Sequence, residues 1–434
     1  MRSFYKKPLV ILLIVMLLCA VTCAQAQQAA VSPQEAMFRP TVMPDRVVLT
    51  WSGDPTVSQA VTWRTDTTIE KAVAQIAIAD PDPKFEAQAQ TIDATTSELA
   101  TKLWTANYHS ATFRNLKPDT LYAYRVGDGN NWSEWFQFRT ASAKPIPFSF
   151  VYFGDVQNGI RSLSSRVMRE AFKTVPNAKF FAFGGDLVTD GNDDVLWGEF
   201  FGAGGWLYGM MPMVPVNGNH EYKKDYETGR RGLTKHWRAQ FTLPENGPKG
   251  LEEYAWYTDC QGLRIIALNS VEMVEEQAAW LDKALSDNPN RWTIAIFHYP
   301  MFSVSKGWKD NAKLNELWKP LFDKYRVDMV LTGHDHTYAR SGLEGSVVYV
   351  TSVCGSKMCD LARKPWMKRA AEGVQLLQII TIDGDKLSYE SRTATGSIYD
   401  AFELHKQSGK ANRLVDRIPK GVPERLRSRM EAAK

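Results

Sequence analysis

Five short apolar runs in this chain each end on a residue type that can hold a cation. Phe148–Phe153 leads into Gly154-Asp155-Val156-Gln157, and Phe180–Phe183 into Gly184-Gly185-Asp186. Met213–Val216 leads into Asn217-Gly218-Asn219-His220-Glu221, and Thr293–Phe297 into His298. Met329–Leu331 leads into Thr332-Gly333-His334-Asp335-His336. Four of the seven histidines sit at these ends, which scattered structural histidines would not do. Singly, each residue has an ordinary use. Asp155 or Asp186 suits a helix cap, Asn219 a turn, and His298 a buried, hydrogen-bonded imidazole. The His334/His336 pair already favours a metal, because imidazole is the commonest such ligand. Taken together, the ordinary reading needs five independent coincidences at equivalent places. Two carboxylates, one amide and three imidazoles suit two divalent ions such as Fe, Mn or Zn better than Ca or Mg, which prefer oxygen shells. A carboxylate lying between two cations can bridge them.

The elements needed to carry these residues follow from the patterning. From Phe148 onward, apolar strand-like runs alternate with helix-like stretches at Glu275–Leu285 and Leu314–Tyr325, which predicts an α/β domain over 146–404. In open α/β sheets, ligands bind beyond the C-terminal strand ends, where the polar residues sit here. Residues 38–141 read instead as short strands (Arg46–Trp51, Gln59–Arg64, Ala72–Ala79, Tyr108–Phe113, Leu121–Val126, Trp135–Thr140) divided by Gly/Asp/Pro turns, which predicts a β-sandwich. The run from Leu116 to Val126 resembles the tyrosine-corner region of fibronectin type III domains. His109 reads as an ordinary strand residue, so this domain is expected to be a spacer or binding module. Thr140–Pro147 has the composition of a short linker.

The order GD…GD…GNHE…H…GHDH resembles that of calcineurin-like metallophosphoesterases. The preceding sandwich and the His334–Arg340 run HDHTYAR resemble the purple acid phosphatase branch. The resemblance implies a fibronectin III-like domain followed by a four-layered α/β/β/α sandwich. It implies that Asp155 and His336 hold a first metal, that Asp186 bridges, and that Asn219, His298 and His334 hold a second. His220 would face the substrate phosphate as general acid while a metal-bound hydroxide attacks in line. Three departures stand out. Thr189 occupies the place of the tyrosine that gives the branch its ferric colour, so a divalent pair without a strong visible band is expected unless Tyr222 or Tyr338 replaces it. Gln157 stands where other members carry a histidine, either as an amide ligand or as support for the ligands. Lys306-Gly307-Trp308 replaces the substrate histidines of plant members, and Lys306 could contact phosphate as a point charge. The expected activity is hydrolysis of small phosphate monoesters. Phosphodiester or nucleotide pyrophosphate hydrolysis is the alternative on the same site. A cell-surface binding protein with a vestigial site is the alternative of another class.

Composition narrows the partners. The 434 residues carry 52 Lys+Arg against 48 Asp+Glu, too balanced for nucleic acid as main partner. Residues 1–26 read as a signal peptide: Arg2, Lys6 and Lys7, an apolar run Leu9–Val21, then Ala24-Gln25-Ala26. An exported protein, periplasmic or secreted, with no transmembrane segment after signal removal is therefore expected. In an oxidising compartment Cys354 and Cys359 are expected to pair, leaving Cys260 as a buried small hydrophobe. Residues 405–434 carry nine Lys/Arg against three acids and are expected to form a basic, solvated, partly helical tail.

Overall fold

The computed structural model describes residues 32–226 and 228–426, so the signal-like segment 1–26 lies outside the described residues. A short helix, Pro33–Met37, belongs to a unit that ends at Arg39. It starts on a capping box: Glu35 N–H donates to Ser32 Oγ at 3.2 Å and Ser32 N–H to the Glu35 carboxylate at 2.6 Å.

Pro40 begins the unit that holds everything else. Its first strands form the expected sandwich. Asp45–Thr50, Gln59–Thr65, Thr105–Phe113 and Thr95–Ala100 make one face, and Gln90–Asp93, Val73–Ile78, Leu121–Gly127 and Phe136–Arg139 the other. Leu49, Val61, Trp63, Ile76, Tyr124, Val126 and Phe138 fill the space between. The tyrosine corner is present, with Lys117 N–H donating to the Tyr122 hydroxyl at 2.8 Å. His109 is a satisfied core residue whose ring nitrogens meet Thr65 Oγ1 at 2.8 Å and Thr96 Oγ1 at 2.9 Å. Burial lowers its pKa to about 4. The strands Gln90–Asp93 and Thr95–Ala100 escape the sequence reading because their residues are polar and mostly exposed.

The sandwich is not a separate spacer. Asp45–Thr50 runs parallel to Met213–Pro215, with Thr50 opposite Met213. A single eleven-stranded sheet therefore continues from the sandwich into the α/β part. The linker is held as well: Ser142 N–H donates to Gln261 Oε1 at 3.0 Å, and Gln261 Nε2 donates to the Ile146 carbonyl at 3.1 Å.

In the α/β part, Phe148–Phe153, Phe181–Phe183 and Met213–Pro215 lie side by side in parallel within the large sheet. A second sheet of seven strands holds Trp292–Ile296 and Met329–Thr332, also parallel and adjacent. These two runs are largely apolar because both faces are covered. Ile265, Ile294, Ile296, Met329 and Leu331 join the core shared with the large sheet. The alternate residues Ile266, Ala295 and Val330 meet Leu281, Leu285, Trp318 and Phe322 from the helical layer. The helices Ser165–Thr174 and Asp194–Gly204 contribute Val167, Met168, Trp197 and Phe200 to the core of the large sheet. This is the four-layered arrangement.

Three expectations need correction. The Leu314–Tyr325 stretch is two helices, Ala312–Leu317 and Lys319–Tyr325, because Pro320 has no N–H to continue the first and is at home in the opening turn of the second. The basic tail is ordered across its described part. Arg413–Asp416 is an edge strand paired with Ile398–His405, and Glu372 N–H donates to the Arg425 carbonyl at 2.8 Å. Cys354 and Cys359 are free thiols, as is the buried Cys260. Their backbones are tied to different loops, Cys354 N–H to the Asp155 carbonyl at 3.0 Å and Cys359 N–H to the His336 carbonyl at 3.2 Å. Among the described residues no helix is long and apolar enough to cross a membrane.

Candidate metal centre

Strands that end level deliver their following residues to one place. Phe153, Phe183 and Pro215 are in register across the large sheet, and Asp155, Asp186 and Asn219 follow within a few residues. Ile296 pairs with Leu331 in the second sheet, and His298, His334 and His336 follow. The backbone is bent to aim them: Asp186, His334 and His336 all adopt positive φ, at 48°, 70° and 50°. Non-glycine residues held there store strain, a mark of functional turns. The motif glycines allow the loops to touch. A Cβ on Gly218 would lie 2.2 Å from Asp186 Oδ1, and one on Gly333 would lie 2.1 Å from Asp155 Oδ1.

Two groups of ligand atoms result, each within 4.8 Å of one another: Asp186, His298 and His334, and Asp155, Asp186 and His336. Asp186 belongs to both. Its Oδ2 lies 3.2 Å from His298 Nε2, and Asp155 Oδ2 lies 3.4 Å from His336 Nε2. Asn219 Oδ1 comes within 3.1 Å of His298 Nε2, and His334 Nδ1 within 3.2 Å of the same atom. Three acceptor atoms thus converge on one imidazole nitrogen, which carries at most one proton. Nearby, Asp155 Oδ2, Gln157 Oε1 and His336 Nδ1 are buried with no hydrogen-bond partner. The donor set asks for more positive charge than the chain supplies, and cations fit it.

The electrostatics agree. Burial pushes the Asp155 carboxyl up to about 8, with the Asp186 charge adding to the effect and His298 opposing it. Burial alone would raise Asp186, but the His298 imidazole outweighs it and holds the carboxylate at about 2. Burial lowers His334 to about 2 and His336 to about 3, so both present neutral rings with free lone pairs, the form a metal needs. His298 Nδ1 donates to the Gly184 carbonyl at 2.9 Å, which turns Nε2 into the site.

The remaining expected residues divide. Gln157 is at the centre: its Nε2 donates to Asp186 Oδ2 at 3.0 Å and lies 3.1 Å from His336 Nε2. His220 stands beside the two groups and is part of neither. Its Nδ1 donates to the Thr189 carbonyl at 2.6 Å, its backbone N–H to Asp186 Oδ1 at 2.9 Å, and its side chain is 26% exposed. Lys306 is exposed, and among the described contacts its side chain reaches none of the candidate ligands. The charges of His298 and Lys357 both act on His334 and His336, in the same direction as burial. Tyr222 and Tyr338 are committed elsewhere, to Glu272 and Asn269 and to Asp400 and Tyr389 respectively.

Two supporting carboxylates went unread in the sequence although they stand inside its strongest motifs. Buried Glu221 accepts from the backbone N–H groups of Asp186 at 3.0 Å, Leu187 at 2.8 Å, Val188 at 3.3 Å and Gly218 at 2.7 Å. It clamps the Asp186 loop to the Asn219 loop. Asp335 does the same for the loop after His298, accepting from Ser303 Oγ at 3.0 Å and Ser305 N–H at 3.2 Å. An acid flanked by ligand-type residues was the signal available.

Residues 44–140 match the purple acid phosphatase N-terminal domain, and residues 148–338 match the calcineurin-like phosphoesterase family. The chain is 30% identical to probable purple acid phosphatase 20 of Arabidopsis thaliana over 52% of its own length and 53% of that protein's. It is 26% identical to the Fe(3+)-Zn(2+) purple acid phosphatase 12 of the same plant, over 58% of this chain and 56% of the relative. It spans about half the length of the curated relatives it matches. The structure of purple acid phosphatase PPD1 from yellow lupin seeds shares the fold, with a TM-score of 0.71 at 16% identity, over 84% of this chain and 75% of that one.

Proposed function

Starting from a chain that belongs to the calcineurin-like phosphoesterases, in the branch with a purple acid phosphatase N-terminal domain, we propose that it hydrolyses small phosphate monoesters with two bound divalent ions. The observation that carries this reading is the pair of three-residue ligand groups sharing Asp186. Asp155, Asp186 and His336 would hold one ion, with Gln157 beside them. Asp186, Asn219, His298 and His334 would hold the other. When bound, such a pair neutralises phosphoryl oxygens and activates the attacking water. One relative is named for Fe(3+) and Zn(2+). Here Thr189 cannot supply a phenolate, and two aspartates leave less uncompensated charge on a divalent pair of Fe, Mn or Zn ions than on a trivalent–divalent pair. The signal-like segment 1–26 supports export to the periplasm or medium.

The chain's own part is to position groups and move one proton. Glu221 ties the Asp186 loop to the Asn219 loop, and Asp335 ties the loop after His298 to the His334–His336 loop. With Nδ1–H spent on the Thr189 carbonyl, His220 has only Nε2 left to act, 3.9 Å from Asp186 Oδ2. Protonated there, it can pass that proton to the departing oxygen. His220→Ala should keep its metals and lose about 10²–10⁴-fold in rate, the usual worth of a positioned acid. The loss should be larger for alkyl than for nitrophenyl phosphates, whose leaving group scarcely needs a proton. Equal losses would mean that His220 only places the phosphate. Turnover of paired mono- and diester substrates by the metal-reconstituted protein tests the reading itself. Faster diester hydrolysis would replace it with the phosphodiesterase alternative.

A further inference from the structure

The loop after His298 lays an indole against the metal centre. Trp308 is 42% exposed, and its ring centroid is 4.6 Å from that of His334 at an interplanar angle of 42°. Tyr299 meets the same imidazole edge-on at 4.4 Å, so His334 is held between two aromatic rings. The mount of Trp308 is built. Gly307 turns the chain at φ 83°, Trp308 N–H donates to the Ser305 carbonyl at 3.2 Å, and Lys306 N–H to the Asp360 carbonyl at 2.8 Å. Ser303 and Ser305 are in turn held by Asp335, the residue between His334 and His336. The indole is thus tied to the ligand loop itself. Exposure of a single large ring is ordinary; what distinguishes Trp308 is that its partly exposed ring lies against a candidate metal ligand. Trp206, which is 50% exposed, instead packs edge-on against Phe172 at 5.0 Å and serves the helical layer.

We propose that Trp308 is a specificity residue: its exposed indole stacks on the planar aromatic group of an aryl phosphate monoester whose phosphate lies on the metal centre. This rests on the phosphoesterase reading. A flat π-system gains from offset or edge contact with another ring, beyond the area it buries, and a puckered ring of similar size does not. The site therefore prefers planar over saturated cyclic leaving groups.

Competitive inhibition of the metal-loaded enzyme by phenylphosphonate and cyclohexylphosphonate tests this, since neither carries an ester bond to break and the two differ mainly in planarity. Phenylphosphonate should bind about fivefold more tightly to the wild type. Trp308→Ala should bring the two inhibition constants together, and Trp308→Phe should restore most of the difference. Inhibition by inorganic phosphate should be the same in all three proteins. Three results would overturn the proposal: no preference in the wild type, a preference that survives Trp308→Ala, or weakened phosphate inhibition in that variant, which would make Trp308 a prop for His334. A wild type that hydrolyses no phosphate ester and is bound by no phosphate would instead defeat the phosphoesterase reading.

Discussion

Asp186→Asn is expected to empty both metal positions and to lower turnover by on the order of 10³-fold or more, the rate equivalent of the several kcal/mol that a cation pair supplies. The substitution keeps shape and removes charge. Asp186 Oδ1 accepts the His220 backbone N–H at 2.9 Å, which would orient an asparagine with its carbonyl toward His220. The amide nitrogen would then sit where Oδ2 now faces His298 Nε2 at 3.2 Å, turning a donor toward the cations. Because Asp186 belongs to both ligand groups, one change reaches both ions. Elemental analysis and steady-state rates on the same preparation read the two effects together, with circular dichroism to show that the fold is kept. Two retained ions and normal turnover would remove Asp186 from the bridging position.

The second large effect concerns stability. Asp194 opens the helix that follows the Asp186 loop and reaches back into the sandwich. Its carboxylate accepts from Arg46 Nη1 and Nη2, each at 2.8 Å, and from Arg64 Nη1 and Trp104 Nε1, also each at 2.8 Å. The Asp194 and Arg64 side chains are 1% exposed and that of Arg46 4%. Asp194→Ala should therefore cost about 3–5 kcal/mol, because it leaves the buried Arg46 guanidinium without its counter-charge and Arg64 with only the more exposed Asp45. Denaturant unfolding measures it, and a loss below about 1 kcal/mol would mean that the arginines find other acceptors. The pH dependence has a definite sign. Burial would raise the Asp194 carboxyl, but Arg46, His236 and Arg64 hold it well below the usual range. Its contribution is fully present above the unfolded value of about 3.9 and is lost as pH falls toward the folded one. The wild type should weaken in that acid window, and Asp194→Ala should lose part of the dependence.

The candidate ligands were legible because every one follows an apolar strand, and such strands must end at a sheet edge where polar residues are free to converge. Helix Val274–Ser286 was legible for a similar reason, its buried Leu281 and Leu285 recurring one turn apart. What stayed hidden depends on partners remote in sequence. Glu221 acts through backbone N–H groups 33 to 35 residues away, and a carboxylate leaves no periodic trace of that. The loop that carries Lys357 is tied to the first ligand loop because Cys354 and Gly355 N–H groups bind the Asp155 carbonyl, almost two hundred residues earlier. Cys354 is tied in this way to the Asp155 loop and Cys359 to the His336 carbonyl, where five-residue spacing had suggested a bridge. Arg413–Asp416 looked like a charged tail, yet its charges have assigned places: Asp416 accepts from buried Arg340 at 2.9 Å. The continuation of the sandwich sheet rests on Thr50 meeting Met213, a pairing that no local pattern announces.

The central claim is that the residues at the strand ends would hold two divalent ions, with Asp186 serving both groups of ligands. Elemental analysis of the purified wild-type chain, after reconstitution with Mn, Zn or Fe(II) and removal of loose metal, tests it most directly. The account predicts two ions per chain, with phosphomonoester turnover rising as the second position fills. A chain that binds none, or that hydrolyses phosphate esters at full rate after all metal is stripped, would contradict it.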